Sequence, residues 1–123
     1  HKANAAFYQD AVARPHTIVP DALAKAPKPL TVTPVDEELE LKDATMAVNI
    51  YHVAGNPHAD TMLMAHFPKE KILVEVDAYS PGSAVQPYAA NLKENISRRG
   101  LKVDRVVPLH GTIVPYSELL KIQ

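Results

Sequence analysis

The sequence predicts an α/β fold of the layered α+β kind, with one mostly antiparallel sheet and helices on one of its faces. Three observations carry this. Apolar and polar residues alternate with period two from Leu39 to Lys42 and again from Met46 to Val53, the pattern of half-buried strands. Two short apolar runs, "TMLMAHF" and "ILVEV", follow, with the tight turn "PKEK" between them. The period then changes: Tyr88, Leu92 and Ile96 recur every four residues, which lines one side of a helix.

Taken in order, "ANAAFYQDAVA" at 3–13 predicts a short helix that Arg14-Pro15 closes, because the residue before a proline is pushed out of helical geometry. Five prolines from Pro15 to Pro34 predict an irregular surface segment, with at most one helical turn at "DALAK". Leu39 and Leu41 then alternate with Glu38, Glu40 and Lys42. Beyond the turn "KDAT", Met46, Val48, Ile50 and His52 share one face, and Ala47, Asn49, Tyr51 and Val53 the other. This is a β-hairpin. With the strands on either side of "PKEK" it makes a four-stranded antiparallel meander. Met46, Met62 and Met64 fall at strand spacing and are assigned to the core. After the loop "DAYSPGSAVQ", Pro87 suits the first position of a helix. Arg98 and Arg99 favour the dipole of its last turn, and Gly100 ends it. "VDRVV" is a fifth strand, and Pro115 to Ile122 a final short helix with Leu119, Leu120 and Ile122 available for burial. Residues 1–123 read as a single domain or half-domain, with the Pro-rich segment 15–34 within it.

Composition narrows the function classes. A chain of 123 residues, 46% hydrophobic and 22% charged, has room for one ordinary globular domain. The net charge of −1, with Arg98-Arg99 as the only basic doublet of arginines, gives no electrostatic case for nucleic acid or an anionic membrane. No run approaches the roughly 18 apolar residues of a membrane-spanning helix. Without cysteine there are no disulfides and no thiolate metal sites. The chain opens on His1 with no visible signal peptide, so a true N-terminus is expected upstream.

Three residues share a placement suited to chemistry. His58 lies in the loop before the third strand, Asp77 at the end of the fourth and His110 at the end of the fifth. Strand ends converge, since neighbouring strands run only about 4.8 Å apart. Two imidazoles and a carboxylate suit zinc, and also iron or manganese. The spacing matches no short metal motif, so the residues alone leave open that these are ordinary polar loop positions. Asp77 equally suits a turn ahead of "AYSPG". His52 and His66 fall inside strands and are read as packed or solvent-facing. His1 and His16 are assigned to the surface, and Asp60 to a plain loop carboxylate or a hydrogen-bonding role beside a histidine. Tyr79 to Pro81 could line a small-molecule pocket, although a plain loop is the simpler reading. No nucleophile elbow and no Gly-rich phosphate loop is present.

"YHVAGNPHADTMLMAHFPKEKILVEVDAYSPG" followed by "LKVDRVVPLHGTIVPYSELL" resembles the second half of the metallo-β-lactamase-fold hydrolases. The matching features are a histidine in a Gly-containing loop before a strand, a "P-x-x-K" hairpin, an aspartate ending the next strand, and a later strand ending in His-Gly. The resemblance implies that this chain is the C-terminal half of an αββα sandwich. It implies that His58 holds the first metal, that Asp77 bridges two metals, and that His110 holds the second. Asp77 stands where the most studied β-lactamases carry cysteine, which places the chain nearer the hydrolase and lactonase branches. The implied activity of the complete protein is hydrolysis of a lactam, lactone, thioester or phosphoester by hydroxide formed on one or two zinc ions, with iron or manganese as alternatives. The family's H-x-H-x-D-H motif belongs to the first half and has no counterpart in this sequence, so the 123 residues alone are expected to be inactive. A half-sandwich exposes an apolar sheet face, so it is expected to pair with the missing N-terminal half, with a second copy, or in a swapped dimer. The competing reading is a non-catalytic interaction module that dimerises through its sheet. A soluble bacterial protein of the cytoplasm or periplasm is expected.

Overall fold

The structure is a computed structural model and describes residues 1–15 and 17–123; the surface assignment of His16 lies outside the described residues. The chain forms two compact units, His1–Pro34 and Val35–Gln123. The segment 15–34, read from sequence as part of a single half-domain, thus belongs to a unit that also holds the N-terminal helix.

In the first unit a 3-10 turn, Lys2–Asn4, runs into α1, Ala5–Ala13. The His1 ring caps the start, its Nδ1 accepting from the Ala3 N–H at 3.3 Å. Arg14 takes extended backbone before Pro15, as the proline requires, and its side chain pairs back to Asp10. The helical turn expected at "DALAK" is α2, Ala22–Lys25, capped by Asp21, whose Oδ1 accepts from the Ala24 N–H at 2.8 Å. Neither helix contains a buried residue.

The second unit is built on a six-stranded sheet in the order β1-β2-β3-β4-β5-β6. Its strands are β1 Glu38–Lys42, β2 Ala47–His52, β3 Leu63–Phe67, β4 Ile72–Glu75, β5 Arg105–Pro108 and β6 Val114–Pro115. The first four form the expected antiparallel meander. α3, Ala89–Arg98, then crosses over so that β5 lies parallel to β4. β6 returns antiparallel to β5 and leads into α4, Tyr116–Leu120. No described helix is long and apolar enough to cross a membrane.

Side-chain alternation divides the sheet into two unlike faces. Met64, Leu73 and Val106 point to one face and are fully buried with Ala89, Leu92 and Ile96 of α3 and Leu119 of α4. The opposite face carries Leu39, Ile50, Ala65, Val74 and Val107. Successive pairings align these five into one apolar row across five strands, and every one is only half-buried.

Two expectations are corrected. Met46 is not core: Asp43 Oδ1 accepts from the Thr45 and Met46 N–H groups at 2.7 and 2.9 Å, which holds Met46 in the β1–β2 turn with half its surface exposed. Met62 and Met64 are buried as expected. Leu120 points outward, while Leu119 takes the core position. The β6 strand, of two residues, is absent from the sequence reading because a pair of residues has no readable period.

Candidate functional site

The single parallel pair in the sheet creates the site. Because β4 and β5 run the same way, their C-terminal ends, with Asp77 and His110 just beyond them, lie side by side. β3 runs antiparallel to β4, so the loop that precedes it, with His58, opens at the same end. The three residues meet there. His110 Nε2 stands 3.0 Å from Asp77 Oδ1, and His58 Nε2 stands 3.6 Å from Asp77 Oδ2. Each carboxylate oxygen thus faces a different imidazole. The two histidines are exposed and Asp77 half-buried, so the cluster is open to solvent.

Each residue is held by its own loop. Asp77 adopts the left-handed region at φ 63°, costly for a residue with a side chain unless the surroundings fix it. Glu75 does so: its Oε2 accepts from the Ala78 and Tyr79 N–H groups at 2.9 and 3.1 Å, closing the turn around Asp77. Glu75 is fully buried. Burial pushes its carboxyl up to about 7; the two amides and His110 oppose that rise, and the Asp77 charge adds to it. Its Oε1 has no hydrogen-bond partner among the described residues. His110 follows Leu109, whose N–H donates to the Glu75 carbonyl at 3.0 Å and extends the β4–β5 pairing up to the site. His58 is fixed through its N–H, which donates to Asn56 Oδ1 at 2.9 Å, and its ring lies 5.1 Å from that of Tyr88, tilted by 36°.

Gly111 ties two of these loops together. Its φ is 119°, and a Cβ added there would stand 3.1 Å from Pro81 Cδ. Gly111→Ala is therefore expected to cost about 1–3 kcal/mol of backbone strain and to move His110 away from Asp77. Urea denaturation measures the first effect, and the His110 imidazole NMR signals report the second. Unchanged signals would show that His110 is placed without help from this contact.

The remaining sequence candidates lie elsewhere. His66 is buried, with Nε2 2.9 Å from the Lys102 carbonyl oxygen. His52 Nε2 stands 2.7 Å from the Asp60 carbonyl oxygen, so Asp60 meets a histidine through its backbone. His1 belongs to the first unit. Tyr79 is buried in the core cluster, where burial raises its phenol. Glu75 and Asn56 were not singled out from sequence, and Tyr88 was read only as part of the apolar stripe of the helix. The one readable signal was the acidic residue inside the apolar run "ILVEV".

The donor types at Asp77 are those that zinc, iron and manganese accept. As placed, no group of three His, Cys, Asp or Glu among the described residues could hold a metal ion. The arrangement is two imidazole–carboxylate pairs sharing Asp77, part of a donor set.

No family model and no curated protein matches the sequence. Solved structures do. The DIM-1 metallo-beta-lactamase aligns over 76% of this chain and 47% of its own, with 21% identity and a TM-score of 0.59. A metallo-beta-lactamase from Pontibacter korlensis aligns over 80% and 49%, with 18% identity and a TM-score of 0.55. The rubredoxin oxygen:oxidoreductase from Desulfovibrio gigas aligns over 76% and 30%, with 20% identity and a TM-score of 0.59. The chain spans about half the length of the metallo-beta-lactamases it matches. About three quarters of this chain therefore carries part of the metallo-β-lactamase fold.

Proposed function

We propose that this chain is the C-terminal part of a metal-dependent hydrolase, and that His58, Asp77 and His110 are metal ligands completed by residues outside this sequence. One observation carries the reading: the Asp77 carboxylate lies between two imidazoles, with one oxygen toward each. His58, Asp77 and His110 are the residues that would hold one or two cations there once the donor set is completed. Metal ions held there, zinc first among the candidates, supply Lewis acidity and make water acidic enough to act near neutral pH. The chain's own part is to fix the donors. Glu75 holds the turn that presents Asp77, the β4–β5 pairing presents His110, and both His58 and His110 turn Nε2 toward the Asp77 carboxylate. The substrate class follows from the family resemblance alone: a lactam, lactone, thioester or phosphoester. The apolar row from Leu39 to Val107 is where the rest of the fold would pack.

Zinc titration tests this. The complete protein is expected to bind Zn(II) and to lose affinity by about 100-fold or more when His58, Asp77 or His110 is changed to alanine, beyond the roughly 10–100-fold typical of residues that only support a ligand. The 123-residue chain alone is expected to bind weakly and to turn over no substrate. Affinity that all three substitutions leave unchanged would refute the ligand assignment. A stable metal-free dimer of the complete product would favour a sheet-paired interaction module instead.

A further inference from the structure

α3 carries Asn91 and Asn95 four residues apart, and so on one side of the helix. Asn95 is buried, and each of its amide atoms is used twice. Its Nδ2 donates to the Ala54 and Asn91 carbonyls, both at 3.0 Å. Its Oδ1 accepts from the Ala54 N–H at 3.0 Å and from Arg98 Nη2 at 2.9 Å. One side chain thus clamps both backbone polar groups of Ala54. Asn91 adds a second tie: Nδ2 donates to the Ala54 carbonyl at 3.0 Å, and Oδ1 accepts from Asn56 Nδ2 at 3.1 Å. Asn56, itself buried, accepts the His58 N–H. Between Ala54 and Asn56 the chain turns through Gly55 at φ 69°.

We infer that Asn91 and Asn95 are positioning residues for His58, acting through Ala54 and Asn56. The inference rests on the reading of His58 as a ligand. The loop between β2 and β3 runs from Val53 to Met62, and its backbone groups need partners once they leave the sheet. The amide chain supplies them at Ala54 and at the N–H of His58, the residue whose ring faces Asp77. α3 then meets that ring a second time, through Tyr88 just before its first turn. Asn56 and Asn95 are buried and Asn91 half-buried, and all three are hydrogen-bonded; such a network is rigid, so α3 fixes both the backbone and the ring of His58. The core face of the same helix, Leu92 and Ile96, packs on the sheet. Helix, sheet and His58 are therefore joined through one continuous set of contacts.

The test uses the whole protein. In the metal-free state, Asn91→Ala leaves the Asn95 clamp on Ala54 intact and breaks the link to Asn56. Asn56→Ser keeps an acceptor for the His58 N–H and breaks the same link. Both are expected to broaden the His58 ring signals in long-range 1H–15N spectra and to remove the His58–Tyr88 nuclear Overhauser contact, with the His110 signals unchanged. Zn(II) affinity is expected to fall by about 10–100-fold. A lowered melting temperature with wild-type His58 signals and wild-type Zn(II) affinity would overturn the inference and leave the asparagines as scaffold only. Asn95→Ala removes four bonds at once and endangers the fold, so Asn91→Ala carries the decision. His58→Ala separates the two claims. If that change leaves Zn(II) affinity untouched, the ligand reading fails, and the metal-free spectra still decide the positioning role.

Discussion

Truncating Leu73 to alanine is expected to lower the unfolding free energy by about 2–5 kcal/mol. Leu73 sits on β4 with no exposed surface, between His66 and Val106 in register, and belongs to the cluster that includes Leu92 and Ile96. Its loss leaves a cavity between β3, β5 and the rest of that cluster. Against a total stability of roughly 5–15 kcal/mol for a domain of this size, that is a large share. Val74, the next residue, points to the opposite face and is half-buried. Val74→Ala should cost the 123-residue chain clearly less. Urea denaturation with an unchanged m-value measures both. Equal costs would show that the core is not where α3 meets the sheet.

Glu75→Ala is the second large effect. It removes the acceptor of two buried N–H groups, those of Ala78 and Tyr79. An unsatisfied buried donor costs about 1–3 kcal/mol, so the pair costs about 2–6 kcal/mol. The same change removes the two hydrogen bonds that close the turn around Asp77. Thermal melts at pH 6, below the value to which burial raises this carboxyl, give the stability loss. Imidazole spectra of His58 and His110 should lose their common environment beside Asp77. A variant that melts early but keeps both imidazole environments would show that Asp77 holds its conformation without Glu75.

The meander was legible because period-two alternation depends only on neighbouring residues: Leu39, Leu41, Val48 and Ile50 declare a face wherever their strands lie. The direction of β5 was not legible. "VDRVV" says that a strand is buried, but its parallel pairing with β4 follows from the α3 crossover, which no local pattern encodes. Met46 had strand spacing yet sits in a turn, because the Asp43 side chain captures its N–H. His58, Asp77 and His110 could be named as loop and strand-end positions, but their gaps in sequence hide that one carboxylate faces both imidazoles. The supporting residues were hardest to see. Asn91 and Asn95 look like solvent-facing helix positions beside the apolar stripe, and only the folded loop reveals that it takes its hydrogen bonds from them. Glu75 interrupts an apolar run, a visible oddity whose purpose appears only when Ala78 and Tyr79 turn back toward it.

The two outer strands of the sheet limit how this chain can meet another. β1 places Glu38, Glu40 and Lys42 along one edge, and charged side chains there discourage a foreign strand from docking. β6 is two residues long and ends in Pro115, which has no N–H to offer. Growth of the sheet by adding strands, the route to fibrils and to ribbon-like assemblies, is blocked at both margins. A contact through this sheet would therefore run perpendicular to it, over the half-buried apolar row from Leu39 to Val107, and would gain little from backbone pairing.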